Sequence, residues 1–211
     1  LGLHFETRIA RLEQRAGQWN LYDGKSPLPL AGGFDAVVVT APSPQTAELL
    51  KDLSPLAAVA ATVEWEPCWT AMVALSRGTG VDYEAAFVND DPILTWMARD
   101  NRKPERSAVA GVAERWVLHA RPRWSRKYLE LAPEAAAHWL GRAFSARVGK
   151  PVTVRSLTGH RWRYATPTRP LNQPFLWDER ERLGVAGDWC SDPRVEGAFL
   201  SGLSLAETML A

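Results

Sequence analysis

The sequence predicts an α+β chain, and three observations carry that prediction. Leu3, Phe5, Thr7 and Ile9 alternate with His4, Glu6 and Arg8, and Val63, Trp65, Trp69, Ala71, Val73 and Leu75 all fall on odd positions, the period of strands. The run Val37-Val38-Val39 has no polar alternate, which predicts a strand buried on both faces in a parallel sheet. Two stretches, 133–147 and 195–210, carry apolar or small residues at helical spacing.

The first forty residues read as strands and turns. A strand over 3–9 ends or bulges near Ala10-Arg11, and Trp19–Tyr22 follows the turn Arg15-Ala16-Gly17. Asp23-Gly24-Lys25 is a second turn, giving a small antiparallel meander. Phe34–Thr40 is the buried strand, and Ala41-Pro42-Ser43-Pro44 stops it. Ser43 is the expected N-cap of a helix over 45–50, with Pro44 at its first position.

A second region runs from Leu56 to about Tyr164. The strand over 63–75 is expected to break at Pro67. Ile93–Ala98 and Trp116–Ala120 are further strands, and Arg99–Pro104 is an exposed loop. Pro133 opens a helix to about Arg147 whose apolar face is Ala136, Trp139, Leu140, Ala143 and Phe144, with Gly149 beyond its end. Val152–Leu157 and Gly159–Tyr164 are strands. Last come a short buried strand, Leu183–Asp188, the loop Trp189–Arg194, and a helix from Val195 to Leu210. Gly197 and Gly202 sit inside that helix at about 1 kcal/mol each, which calls for close approach of another backbone or a ligand.

Composition narrows the function classes. The chain has 211 residues, 46% hydrophobic and 23% charged, with a formal net charge of +1. That suits a globular protein of one or two domains and removes the electrostatic case for a nucleic-acid binder. Arg outnumbers Lys by 20 to 5, as codon composition can produce, and Trp occurs ten times. Cys68 and Cys190 are the only cysteines and form no metal-binding spacing, which predicts a reducing, cytoplasmic setting. No apolar run reaches the length of a bilayer span, and no secretory signal is visible. His4, His119, His138 and His160 lack metal-ligand spacing, so no metal is expected. The opening Leu1-Gly2-Leu3 reads as mid-element, hence a fragment.

The terminal segment carries the chemistry. A buried strand delivers Asp188 to a sheet edge, and the helix start at 195–198 turns free N–H groups and a positive dipole end to the same edge. Such a place suits a pyrophosphate, or the negative charge of a reduced flavin. The plainer reading is a strand–loop–helix with a small face for packing.

Gly187-Asp188-Trp189-Cys190 with Arg194-Val195-Glu196-Gly197-Ala198 resembles the C-terminal flavin-binding motif of the FAD-dependent amine oxidase superfamily. Phe34–Pro42 with Gln45, Trp96–Pro104 and His160–Ala165 resemble, in order, its renalase-like branch of NAD/FAD-dependent oxidoreductases. The family's opening G-x-G-x-x-G unit is absent; Gly78-Thr79-Gly80 lacks the third glycine and the βαβ context. The resemblance implies part of an FAD-binding three-layer domain (1–55 and 167–211) and an antiparallel-sheet substrate domain with helices (56–166). It implies FAD in the parent, held weakly or not at all by this chain.

By the same resemblance, Asp188 contacts FAD hydroxyl or phosphate groups, and Val195, Glu196, Gly197 and Ala198 lie against the isoalloxazine ring. Ala41 and Pro42 sit where the family's strand ends beside the cofactor. Trp96, His160, Trp162 and Tyr164 form the substrate side. The plain alternatives are a strand end for Ala41-Pro42, a helix-start charge for Glu196, and core packing for the aromatic residues and His160. Cys190 is not at the position expected of a flavin tether. Arg121, Arg123, Arg126 and Lys127 read as a solvated face, or as attracting a phosphate-bearing nucleotide. The implied activity is hydride transfer from a dihydronicotinamide-type substrate, with reoxidation by dioxygen. A primary- or polyamine oxidase, and a non-catalytic Trp-rich binding module, are the alternatives.

Overall fold

A computed structural model of the chain describes residues 2–26 and 28–211. They divide into two compact units, one made of residues up to Trp65 together with Thr166–Ala211, the other of Glu66–Ala165.

In the first unit β1 (Arg11–Arg15), β2 (Gln18–Tyr22) and β3 (Ala31–Phe34) form an antiparallel meander. The two-residue turn between β1 and β2 has Ala16 at φ 50° and Gly17 at φ 79°, the positive-φ pair that matches strand twist. That turn sets the register from Arg15↔Gln18 to Arg11↔Tyr22. The strand expected over 3–9 is therefore not formed. Beyond Tyr22 the partner turns away at Asp23-Gly24-Lys25, so residues upstream of Ala10 have nothing to pair with, and Leu3 and Phe5 are exposed.

The strand expected over 34–40 is split. β3 ends at Phe34, and β4 (Val37–Val39) joins a different sheet, of order β10 (Leu176–Asp178), β11 (Leu183–Val185), β4. β4 and β11 are parallel, as the valine run predicts. Burial on both faces fails at Val38, which is 41% exposed. Val38 is in register with Gly184, where the side chain of Leu205 fits against the strand. Leu205 belongs to α5 (Val195–Leu210), whose cover does not extend over Val38 on the edge strand.

α1 (Ser43–Leu50) has Pro42 at its N-cap and no side-chain cap. Ser43 does not cap it: Ser43 is fully buried inside the helix, and its hydroxyl accepts a hydrogen bond from the Trp65 indole at 2.8 Å. A short helix not expected from the sequence, α2 (Leu56–Ala60), packs beside α1, so residues 56–65 belong with the first unit. The core joins Leu12, Trp19, Leu50, Leu183, Val185 and Trp189.

The second unit is built on a sheet of order β6 (Ala85–Phe87), β7 (Leu94–Arg99), β8 (Glu114–Ala120), β5 (Trp65–Leu75), β9 (Val154–Pro167), of which Trp65 and the last two residues of β9 fall in the first unit. α3 (Pro122–Lys127) and α4 (Pro133–Val148) accompany it, and α4 ends at left-handed Gly149, φ 77°. The odd positions of β5 from Pro67 to Leu75 are buried, Trp65 is half-buried, and Pro67 lies within the strand without breaking it. β9 is one strand rather than two.

Three expectations are corrected here. Arg99 ends β7 buried, not in an exposed loop; its guanidinium donates to the Val81 carbonyl and lies 3.8 Å from the Glu114 carboxylate. Trp139 is 47% exposed, because it sits roughly 100° around the helix from the middle of the buried face; Ala137 is buried in its stead. Arg121, expected in a solvated face, is half-buried and donates to the carbonyls of Val88 and Asp91.

Candidate functional site

In the first unit the C-terminal ends of the parallel strands β4 and β11 lie side by side, the position at which open α/β sheets bind ligands. The Ala186 amide extends the pairing to the Val39 carbonyl at 3.2 Å. Beyond it, Gly187–Cys190 forms a tight turn closed by the Cys190 amide on the Gly187 carbonyl. Trp189, buried, donates from its indole to the Ala41 carbonyl at 3.1 Å. The Gly187 amide donates to the Ser201 hydroxyl on α5 at 3.0 Å. Ser201 is one turn beyond Gly197, so Ala41, Asp188 and the start of α5 are brought to one end of this small sheet.

Asp188 is half-buried at the apex of the turn. Burial pushes its carboxyl above the usual aspartate value, and the Trp189 amide offsets part of that. Cys190 is fully buried, and burial raises its thiol to about 11, which leaves no thiolate for covalent chemistry at neutral pH.

The start of α5 has no side-chain cap. Val195, Glu196 and Ala198 are exposed, and Gly197 is buried. The close approach anticipated at Gly197 is to the backbone of Asp192, whose carboxylate also pairs with Arg194 at 2.6 Å. Gly202 faces open space. The free side of β4 borders an apolar cavity of about 610 Å³ lined by Ile9, Leu12, Phe34 and Val37–Ala41.

In the second unit the sheet has a helix-covered face and an open one. On β9, Gly159 abuts the Pro133 carbonyl of α4 and Arg161 reaches the Leu129 carbonyl and the Trp69 ring. His160, Trp162 and Tyr164 therefore point to the open face, where the His160 and Trp162 rings meet at 4.4 Å. Trp96 on β7 shares that face with His119 on β8, their rings 4.7 Å apart. The structure does not bring Trp96 to Trp162: β8 and β5 intervene, about 14 Å at ordinary strand spacing.

His119 was not singled out as a site residue from the sequence. It alternates with buried Trp116, Leu118 and Ala120, and that alternation was the available signal. Burial, with the Lys103 charge, lowers its imidazole below the usual value. Among the described residues no cluster of three His, Cys, Asp or Glu could hold a metal ion. No helix among them is long and apolar enough to cross a membrane.

No protein-family model matches the chain. Its fold does match solved structures. A protein described as a protoporphyrinogen oxidase from Exiguobacterium sp. 255-15 aligns with TM-score 0.70 and 16% identity over 97% of this chain and 46% of its own. An oxidoreductase from Methanosarcina mazei aligns with TM-score 0.63 and 17% identity, over 94% of this chain and 48% of its own. Cyclohexylamine oxidase from Brevibacterium oxydans IH-35A aligns with TM-score 0.63 and 12% identity, over 98% and 49%. The chain thus has a fold found in oxidoreductases and spans about half the length of these proteins.

Proposed function

We propose that this chain is part of an FAD-dependent oxidoreductase of the amine oxidase superfamily, carrying the flavin end of the cofactor site and the substrate-facing sheet. The observation that supports this most is the meeting of Ala41-Pro42, Asp188 and the uncapped start of α5 at the ends of two parallel strands, in a fold found in oxidases. These residues fit one end of FAD. A half-buried carboxylate with no cation beside it among the described residues can accept hydrogen bonds from the cofactor hydroxyls, and free helical N–H groups suit negative charge on the ring. The chain holds no G-x-G-x-x-G turn to cradle the ADP end.

When bound, FAD supplies the acceptor for a hydride from the substrate carbon, and dioxygen takes the two electrons onward to give hydrogen peroxide. Asp188 would orient the cofactor chain, and the N–H groups of Val195, Glu196 and Gly197 would balance charge on its ring, the Ala198 amide being taken by the Arg194 carbonyl. Ala41-Pro42 bounds its side. On the open face of the second unit Trp96 and the group His160, Trp162 and Tyr164 are two patches about 14 Å apart, so a small planar substrate would meet one of them and not both. The Trp96–His119 pair is an aromatic wall that suits a planar dihydronicotinamide ring or an amine alike, so the renalase-like reading rests on the sequence resemblance. Two unpaired cysteines suit a cytoplasmic setting. The exposed Trp139 and Trp162 favour a second reading, a non-catalytic binding module.

Equilibrium titration of the intact 211-residue chain with riboflavin, FAD and ADP tests the proposal. Riboflavin and FAD should bind weakly and equally, ADP should not compete, and the preparation should be colourless after gel filtration. Absence of saturable riboflavin binding, or binding indifferent to Asp188→Ala, overturns the flavin-site reading. A yellow preparation with stoichiometric FAD overturns the claim that the ADP end lacks a cradle here.

A further inference from the structure

We infer that the helical side of the second unit carries a binding site for a small aromatic anion, a ligand with a planar apolar body and one carboxylate, phosphate or sulfonate. A cavity of about 480 Å³ lies where the start of β7 meets α3 and α4. That size is within the range of small-molecule pockets. Its apolar lining is Pro92, Ile93, Trp124, Tyr128 and Trp139; Trp139 is 47% and Tyr128 36% exposed, large ring surface left in water beside a concavity. Three rings and a proline suit a flat body.

The charge on the lining is of one sign: Arg121, Arg123 and Lys127, with no acidic residue. Arg121 is held in place by the carbonyls of Val88 and Asp91, which take its Nη2 and Nε hydrogens and leave Nη1 for a ligand. Neither Arg123 nor Lys127 has a carboxylate partner among the described residues; Lys127 rests over the Tyr128 ring at 5.0 Å. Nearby cations that are neutralised, Arg126 by Glu66 and Arg161 by Glu130, show what the cavity lacks. A fixed guanidinium with two unpaired cations over aromatic walls selects for a negative group on a planar ring. This site is separate from the Trp96–His119 face, since Trp124 packs into the helix-covered core of the sheet.

Calorimetric titration of the intact chain with 2-naphthoate and with neutral 2-naphthamide tests the inference. Saturable one-to-one binding of naphthoate, at least tenfold tighter than the amide, is expected. The double variant Arg123→Gln/Lys127→Gln, both exposed and away from the core, should reduce the preference at least threefold, Arg121 retaining the remainder. Trp162→Ala, on the opposite face, should leave it intact. Equal affinity for the two probes, a preference undiminished in the double variant, or no saturation at millimolar naphthoate overturns the inference. Binding to phosphatidylglycerol vesicles without saturable naphthoate binding also overturns it and makes the patch a lipid-facing surface.

Discussion

The indole of Trp189 donates its hydrogen to the carbonyl of Ala41 across 3.1 Å, tying the turn after β11 to the end of β4. Trp189→Phe keeps an aromatic core but leaves that carbonyl with the Thr46 hydroxyl as its donor. The expected cost is about 0.5–1.5 kcal/mol in urea unfolding, with riboflavin affinity falling as the two strand ends loosen. A variant as stable as the parent would mean that the bond does not hold the turn.

Asp188 predicts an unusual pH response. Its carboxyl is raised by burial in the folded chain, so the folded state holds a proton that the unfolded state has released. Stability contributed here is present below the usual aspartate value of 3.8 and is lost as pH rises through the folded value. Asp188→Asn should remove that loss and raise the apo chain's melting temperature at pH 7, while weakening flavin binding by about 1.5–3 kcal/mol. Lower stability together with unchanged flavin affinity would assign Asp188 to structure alone.

His119 predicts the opposite slope. Burial first, and Lys103 second, hold its imidazole below 6.5. Between 6.5 and that lower value the unfolded chain gains a proton that the folded chain does not, so stability falls as pH falls. His119→Gln should flatten urea midpoints measured across this window. On the proposed function it should also raise KM for a planar substrate that the Trp96–His119 pair would wall.

Glu114 lies in a buried polar cluster. Burial alone would raise its carboxyl, but hydrogen bonds from Trp116 and Thr79, with the Arg99 charge, bring it below the usual value. Glu114→Ala leaves Arg99 buried with one carbonyl partner, since Arg99 Nε already has none. A loss of about 3–5 kcal/mol is expected in denaturant unfolding. A loss under about 1 kcal/mol would show that water replaces the carboxylate.

Much of this architecture was legible because period and punctuation agreed. Gly149 marks the end of α4, the odd positions of β5 from Pro67 onward are buried, and the valine run does pair in parallel. What was missed depended on partners distant in sequence. The alternation at 3–9 is as regular as that of β5, yet no strand lies opposite it. Arg99 reads as the first residue of a polar loop because its partner, Glu114, is fifteen positions away. Trp139 and Ala137 exchange roles because a helix face is set by the sheet it meets, not by which residue is largest. At the candidate site, strand ends and turn were readable from Pro42 and Gly187-Asp188. The bonds that join them, from Trp189 to Ala41 and from Gly187 to Ser201, span strands and helix and leave no local trace.

The first unit is interrupted by the hundred residues Glu66–Ala165, yet its two segments are stitched where the interruption begins and ends: the Thr168 amide and hydroxyl both donate to the Glu64 carbonyl. β5 and β9, which carry the chain out and back, are neighbours in one sheet, and Ser76 bonds Thr153 at the far end. Bringing together the ends of a floppy insert this long would cost about 4 kcal/mol of chain entropy. Once the insert has folded, its own sheet has already brought those ends together. The insert's own sheet thus supplies the chain closure that the discontinuous unit would otherwise have to bear.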